Sequence, residues 1–110
     1  MKLPNAERAV VEIEKLRDYS LNLAHDEGKH KAQVFRSALG FTQADAEELR
    51  QVVLRAALIE EATPTKLLPY GHLYTLDFSA EGLSGTVTIR TGWIVETGTD
   101  FPRLVTCYVR

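Results

Sequence analysis

The sequence contains very little cysteine: Cys107 is the single one among 110 residues. One cysteine cannot form an internal disulfide, and it cannot supply the thiolate cluster of a structural zinc site. Long apolar runs are also missing, since the longest has four or five residues, whereas a membrane span needs roughly 20. The first residues are charged and polar, unlike those of a secretory signal peptide. We therefore expect a cytoplasmic protein that makes no membrane contact.

The sequence also lacks a strong excess of one charge. It has 13 Lys and Arg against 15 Asp and Glu, and its isoelectric point is about 5.9. A basic surface that coats nucleic acid is therefore excluded, although local recognition of a phosphate remains compatible with these numbers. No Gly-rich phosphate loop, nucleophile elbow or dinucleotide fingerprint is present, so no cofactor is expected. His25, Asp26 and His30 lie close together, but nothing completes a closed metal-ligand set.

The remaining composition is that of an ordinary soluble domain, with 45% hydrophobic and 25% charged residues. A chain of this size buries about two-thirds of the surface that it exposes when unfolded. That burial supports one core without disulfides or a structural metal. We therefore expect a single domain over residues 1–110.

The clearest helix signal covers residues 43–62, which are rich in helix formers and free of Gly and Pro. Thr42 and Asp45 resemble a capping box, because a hydroxyl and a carboxylate can satisfy the free amides of a helix start. Apolar residues recur at spacings of three, four and seven, which predicts one buried stripe. Its members are Leu49, Val52, Val53, Ala56, Ala57 and Leu58.

Two further helices are predicted before this one. One begins after Gly28 and stops at Gly40, because glycine readily adopts the left-handed conformation that ends helices. The other covers roughly Ile13 to Leu21, with Glu12 as its N-terminal cap. Residues 3–11 are compatible with a short strand or an extended arm.

After Pro64 the apolar period changes from 3.6 to 2, which marks a change from helices to strands. Strands are predicted over residues 72–80, 86–96 and 103–109. The expected fold is α+β, with about three N-terminal helices packed on one face of an antiparallel sheet of three or four strands. The expected core residues are Phe35, Leu49, Val53, Ala56, Val87, Ile89, Val105 and Cys107.

Strand alternation predicts that the other face of the sheet is polar. Its expected members are Thr75, Asp77, Ser79, Thr86, Thr88, Arg90, Thr106 and Tyr108. Such a face can be a platform for a functional site, with one cation and one phenol. It can equally be an ordinary solvated surface that carries a cross-strand pair between Arg90 and Asp77.

A second candidate feature is the run from Gly28 to Lys31 at a predicted helix start. Free amides and the positive end of the helix dipole attract anions there, and Lys29 and Lys31 add charge. The sequence predicts phosphate binding by both lysines. His30 lies between them, and neighbouring cations favour its neutral form, which suits a base. The alternative is a solvated helix entrance without a ligand.

Several segments resemble a family of small bacterial proteins that have no established activity. These are Lys15–Asn22, Gly28–Ala32 with Phe35, Trp93–Val95 and Pro102–Tyr108. The order of N-terminal helices, basic helix entrance and C-terminal sheet also resembles the barnase/EndoU/colicin/RelE superfamily of ribonuclease toxins. This second resemblance implies RNA as substrate and a cognate antitoxin as partner.

The resemblance and the chemistry suggest a metal-independent ribonuclease. His30 would take the proton of the RNA 2′-hydroxyl, and Arg90 and Lys31 would stabilise charge at phosphorus. Tyr108 or Thr106 would donate a hydrogen to the leaving oxygen or to the phosphate. The alternative is a non-catalytic interaction or immunity-type module that uses the polar sheet face. An enzyme requires His30, Arg90 and Tyr108 to meet at one concave site, whereas a module needs only a broad surface.

Overall fold

Helical segments form the first half of the chain and strands form the second. The computed structural model describes residues 1–110. The elements are α1 (Ile13–Lys15), α2 (Lys29–Leu39), α3 (Ala46–Ile59), β1 (Thr63–Leu68), β2 (Gly71–Gly82), β3 (Gly85–Glu96) and β4 (Arg103–Val109), with short 3₁₀ turns at Ala6–Arg8 and Gln43–Asp45. The helices pack on one face of an antiparallel sheet whose strand order is β1-β2-β3-β4. The predicted α+β class is confirmed.

The ends of α2 and α3 follow local sequence signals. Gly40 has φ of 72°, and its amide bonds to the Arg36 carbonyl at 2.9 Å, which confirms the predicted C-terminal stop. Before α3, the Asp45 carboxylate accepts the Thr42 amide at 2.8 Å. This bond stabilises the turn that leads into the helix.

The first predicted helix is present at nearly its predicted length, but most of it is not regular α-helix. Regular α-helix covers only α1, and the chain continues as a wider π-helical turn over Leu16–Ser20, hereafter the π turn. Its extra residue is visible in the bond from the Leu21 amide to the Leu16 carbonyl at 2.8 Å. The Ser20 hydroxyl then reaches the Cys107 carbonyl of β4 at 3.0 Å. The wide turn therefore ties this segment to the edge of the sheet.

Glu12 occupies the predicted N-cap position of the first helix, but its side chain does not cap the helix. Glu12 makes no side-chain capping bond, and its carboxylate instead accepts a hydrogen bond from Arg103 at 3.0 Å. An ion pair to a strand competes successfully for this carboxylate because the preceding residues lie along β4. Val10 forms a single parallel bridge with Arg103.

The two long central strands pair over their full length, from Gly71 with Glu96 to Gly82 with Gly85. A tight turn joins them, and Gly85 has φ of 127° there, a conformation that favours glycine. The fourth strand, β1, precedes the three predicted ones. The sheet therefore has the upper of the two predicted strand numbers.

A bulge in β4 corrects one predicted core residue. Thr106 pairs with Gly92 while Leu104 pairs with Trp93, so Val105 is an extra residue without a partner. Val105 is consequently 40% exposed, and its prediction as a core residue is wrong. Val87 is only half-buried because it lies near the β2–β3 turn. The other six predicted core residues are buried: Phe35, Leu49, Val53, Ala56, Ile89 and Cys107.

One polar side chain lies inside this core. Thr91 is fully buried on the helix-facing side of β3. Its hydroxyl donates to the Leu76 carbonyl at 2.7 Å and accepts the Trp93 indole N–H at 2.8 Å. Each buried polar atom of this network therefore has a partner, as stable cores require.

The two edges of the sheet differ. β1 contains Pro64, which has no amide hydrogen, and its register shifts between Pro64 and Lys66. The beginning of the β4 edge is covered, because the Val10 amide bonds to the Pro102 carbonyl and the Leu104 amide to the Val10 carbonyl, both at 2.9 Å. None of the helices combines the length and the apolar surface that a membrane span requires.

Candidate functional site

The sheet face turned away from the helices, hereafter the outer face, carries a charged cluster at its centre. Arg90 of β3 donates two hydrogen bonds to the Asp77 carboxylate of β2, at 2.9 and 3.0 Å. Arg110 donates a third bond to Asp77 at 3.0 Å. Cross-strand register explains the first contact, since Asp77 and Arg90 are directly paired. The cluster holds two cations and one anion, so it carries a net positive charge.

These contacts shift the pKa values of both partners. The hydrogen bond from Arg90 is the main reason that the pKa of Asp77 lies below its usual range, and Arg110 lowers it further. The bond to Asp77 raises the pKa of Arg90, and Tyr108 contributes in the same direction. Tyr108 is the direct partner of Arg90 on β4. The guanidinium is therefore a permanent cation, with much of its charge committed to Asp77.

Lys31 connects this face to the helical layer. Its ammonium lies 5.1 Å from the centre of the Tyr19 ring and 5.2 Å from the centre of the Tyr108 ring. Both distances are within the range of cation–π attraction. Because Tyr19 belongs to the π turn and Tyr108 to β4, Lys31 brings three elements together at one point.

A groove of about 450 Å³ runs between the π turn and β4, beside Lys31. Its side chains are mostly polar and several can ionise: the lining residues are Glu12, Glu14, Lys15, Asp18, Tyr19, Ser20, His25, Val105, Thr106 and Cys107. Two of its carboxylates are neutralised by arginines, Glu12 by Arg103 at 3.0 Å and Asp18 by Arg17 at 2.9 Å. The groove is therefore less negative than its composition indicates.

His25 is a member of this groove that was not among the predicted site residues. Its Nδ1 accepts the amides of Glu27 and Gly28, both at 3.0 Å. The ring meets Tyr19 edge-on, with 4.6 Å between ring centres. A histidine three residues before the glycine that precedes a helix is the signal that could have identified it, because its ring can cap the helix start.

The predicted site residues fall into two groups. One group is connected: Lys31 contacts the Tyr108 ring, and Tyr108 is paired across the strands with Arg90. Thr106, also of this group, lines the groove. Lys29 and His30 are exposed on the first turn of α2 and make no hydrogen bond or ion pair with the others. Their predicted roles stay predictions.

The anion site predicted at the start of α2 is partly occupied by the protein itself. The His25 ring accepts hydrogen bonds from the amides of Glu27 and Gly28, and the His25 carbonyl accepts one from the Lys29 amide at 2.9 Å. The amides of His30 and Lys31 donate to no backbone acceptor within the chain. Nowhere in the chain is a group of three or more His, Cys, Asp or Glu side chains arranged to hold a metal ion.

These features define an α+β protein with a polar groove between a helical turn and an edge strand. The chain belongs to the family described as a domain of unknown function, DUF6883, whose profile matches residues 2–110. This confirms the expectation of a family without an assigned activity. No curated protein and no solved structure matches the chain.

Proposed function

We propose that this domain cleaves RNA by using the 2′-hydroxyl of the substrate as nucleophile. The observation that supports the proposal is the position of Lys31, between the rings of Tyr19 and Tyr108 and beside the groove that contains Thr106. A cation, a phenol and a hydroxyl are the groups that stabilise and protonate a reacting phosphate.

The reaction forms a bond between O2′ and phosphorus and breaks the bond between phosphorus and O5′. His30 accepts the proton of the 2′-hydroxyl, while Tyr108 donates a proton to the leaving O5′. His30 is assigned this role because the Nδ1 atoms of the other two histidines, His25 and His72, already have hydrogen-bonding partners. Its exposed ring is free to approach a bound substrate.

The cations act on the phosphate. Lys31 balances the charge that develops on the oxygens at phosphorus, and Lys29 holds the neighbouring backbone. Arg90 lies opposite Tyr108 on the adjacent strand and adds positive charge beside its phenol. A positioned base contributes about 10²–10⁴-fold, so charge stabilisation by Lys31 must supply much of the remaining acceleration. A domain with this activity requires an inhibitory partner in the cell that makes it.

The test is cleavage of a fluorescent single-stranded RNA by the full chain in excess chelator. His30→Ala should abolish cleavage without lowering the melting temperature, because its side chain is exposed. Lys31→Gln should abolish cleavage and lower the melting temperature slightly, because the half-buried ammonium loses its contacts with the rings of Tyr19 and Tyr108. Lys66→Gln is the matched control, since it removes one exposed cation from β1 and should cleave as the wild type does. An RNA with 2′-deoxyribose at every position should not be cut.

Cleavage by His30→Ala at the wild-type rate would contradict the assignment of the base. Cleavage of the 2′-deoxy substrate would contradict the mechanism as a whole. Unchanged RNA after incubation with the wild-type chain would remove the proposed function.

A second candidate is a non-catalytic protein-interaction or immunity-type module. The double hydrogen bond between Arg90 and Asp77 favours this candidate, because a guanidinium that is already paired with a carboxylate stabilises the sheet and is less available to bind a phosphate. Arg90→Ala separates the two candidates. If the wild type cleaves RNA and Arg90→Ala does not, at an unchanged melting temperature, the result supports the enzyme. If the wild type does not cleave RNA and Arg90→Ala melts at a lower temperature, the result supports the module.

A further inference from the structure

The hydrogen bonds of His25 determine which of its nitrogens carries a hydrogen. Two backbone amides point at Nδ1, from Glu27 and Gly28, each at 3.0 Å. A nitrogen that accepts hydrogen bonds carries no proton, so the neutral ring has its hydrogen on Nε2. Nε2 makes no hydrogen bond within the chain, and the ring lines the groove together with Thr106.

The ring is also held in place by its surroundings. Tyr19 contacts it edge-on, and the carbonyl of His25 accepts the Lys29 amide at 2.9 Å. The turn is tightly closed, because a Cβ on Gly28 would lie 2.3 Å from the Tyr19 carbonyl oxygen. His25 therefore offers a donor of fixed direction, and such a donor needs no reorganisation when a ligand binds.

We propose that His25 donates its Nε2 hydrogen to a non-bridging oxygen of a phosphodiester bound in the groove. This inference rests on the proposed ribonuclease activity and adds a residue to it. No proton is transferred in this role: the hydrogen stays on Nε2 while the oxygen gains negative charge at the pentavalent stage. His25 and His30 thus divide the work, since one is locked as a donor and the other is free to act as a base.

Two replacements, each of which keeps the position of one ring nitrogen, separate this role from the capping role. In His25→Asn, the amide oxygen can take the place of Nδ1 and accept both backbone amides, but the outer donor is lost. In His25→Gln, the side-chain NH₂ can take the place of Nε2, but the acceptor at the Nδ1 position is lost. Asparagine therefore preserves the cap, and glutamine preserves the donor.

We expect His25→Asn to melt only slightly below the wild type, because it keeps the cap and loses the ring contact with Tyr19. Cleavage should fall about 100-fold, the effect of removing one oxyanion donor. His25→Gln should melt at a lower temperature and retain more cleavage than His25→Asn. A purely structural role predicts the reverse order of activities, and that order would overturn the inference.

Binding is measured separately, with an uncleavable 2′-deoxy-substituted RNA and nitrogen NMR of the histidine rings. The free protein should show the Nε2–H form of His25. The oligonucleotide should move the Nε2 signal of His25 in the wild type, and it should move the same signal by the same amount in Lys66→Gln. Binding with this shift and no cleavage of RNA would remove the proposed function and keep the donor role. Cleavage with an unmoved His25 signal would remove the donor role alone, and absence of both binding and cleavage would overturn both.

Discussion

Replacing Thr91 by valine should destabilise the fold through hydrogen bonding alone. Valine has nearly the same shape, so the core keeps its packing. The Trp93 indole N–H loses its acceptor and the Leu76 carbonyl loses a donor. A buried polar group without a partner costs about 1–3 kcal/mol, and the two groups together should cost about 2–4 kcal/mol. For a chain of this length the melting temperature should fall by about 10–15 °C.

Trp93 is the single tryptophan of the chain, so urea unfolding monitored by its fluorescence reports on this site directly. Thr91→Ser is the control, because it keeps the hydroxyl and loses one methyl group, worth about 1 kcal/mol. In a Trp93→Phe background, which has no indole N–H and whose unfolding is followed by far-ultraviolet circular dichroism, Thr91→Val should cost less by about 1–2 kcal/mol. A Thr91→Val protein as stable as wild type would refute the argument that this buried network is needed.

Two further predictions concern ionisable groups. Asp77→Asn should lower the free energy of unfolding by about 1 kcal/mol at neutral pH. Arg90 and then Arg110 depress the pKa of Asp77 in the folded state. The difference between wild type and variant should therefore shrink as the pH falls below about 3.9, the ordinary pKa of an aspartate. Urea unfolding at several pH values measures this, and a difference that grows in acid would contradict it. Burial raises the pKa of the Cys107 thiol to about 12, so a chromogenic disulfide reagent at pH 8 should react far more slowly with folded than with urea-unfolded protein; equal rates would show that the thiol is accessible.

Sequence patterns predicted the elements whose signals are local. The stop of α2 depends on Gly40 and the start of α3 on Thr42 and Asp45, all within one turn of the helix that they affect. β1 escaped prediction because it is an exposed edge strand and so lacks apolar alternation. The π turn also escaped, since its Ser20 bonds to Cys107, which lies 87 residues away in the chain, and no local pattern shows that contact.

The candidate site shows the same division. The pairing of Arg90 with Asp77 was predicted as an alternative because strand alternation places both on one face. The contact between Lys31 and Tyr108 could not be predicted, since it depends on how α2 lies against β4. The bulge at Val105 was equally invisible: alternation alone puts Val105 with Cys107, and only the register against β3 shows the extra residue.

The two protected edges of the sheet also bear on how this protein avoids self-association. Exposed strand edges recruit further strands and can begin ordered aggregates. At β1, the missing amide of Pro64, the register shift and the charge of Lys66 disfavour such recruitment. At β4, the protection comes from a separate piece of chain, through the bonds of Val10. Detachment of that N-terminal segment would expose the backbone groups of Pro102 and Leu104 at the beginning of β4 while the rest of the sheet stays intact, so we expect it to favour edge-to-edge association.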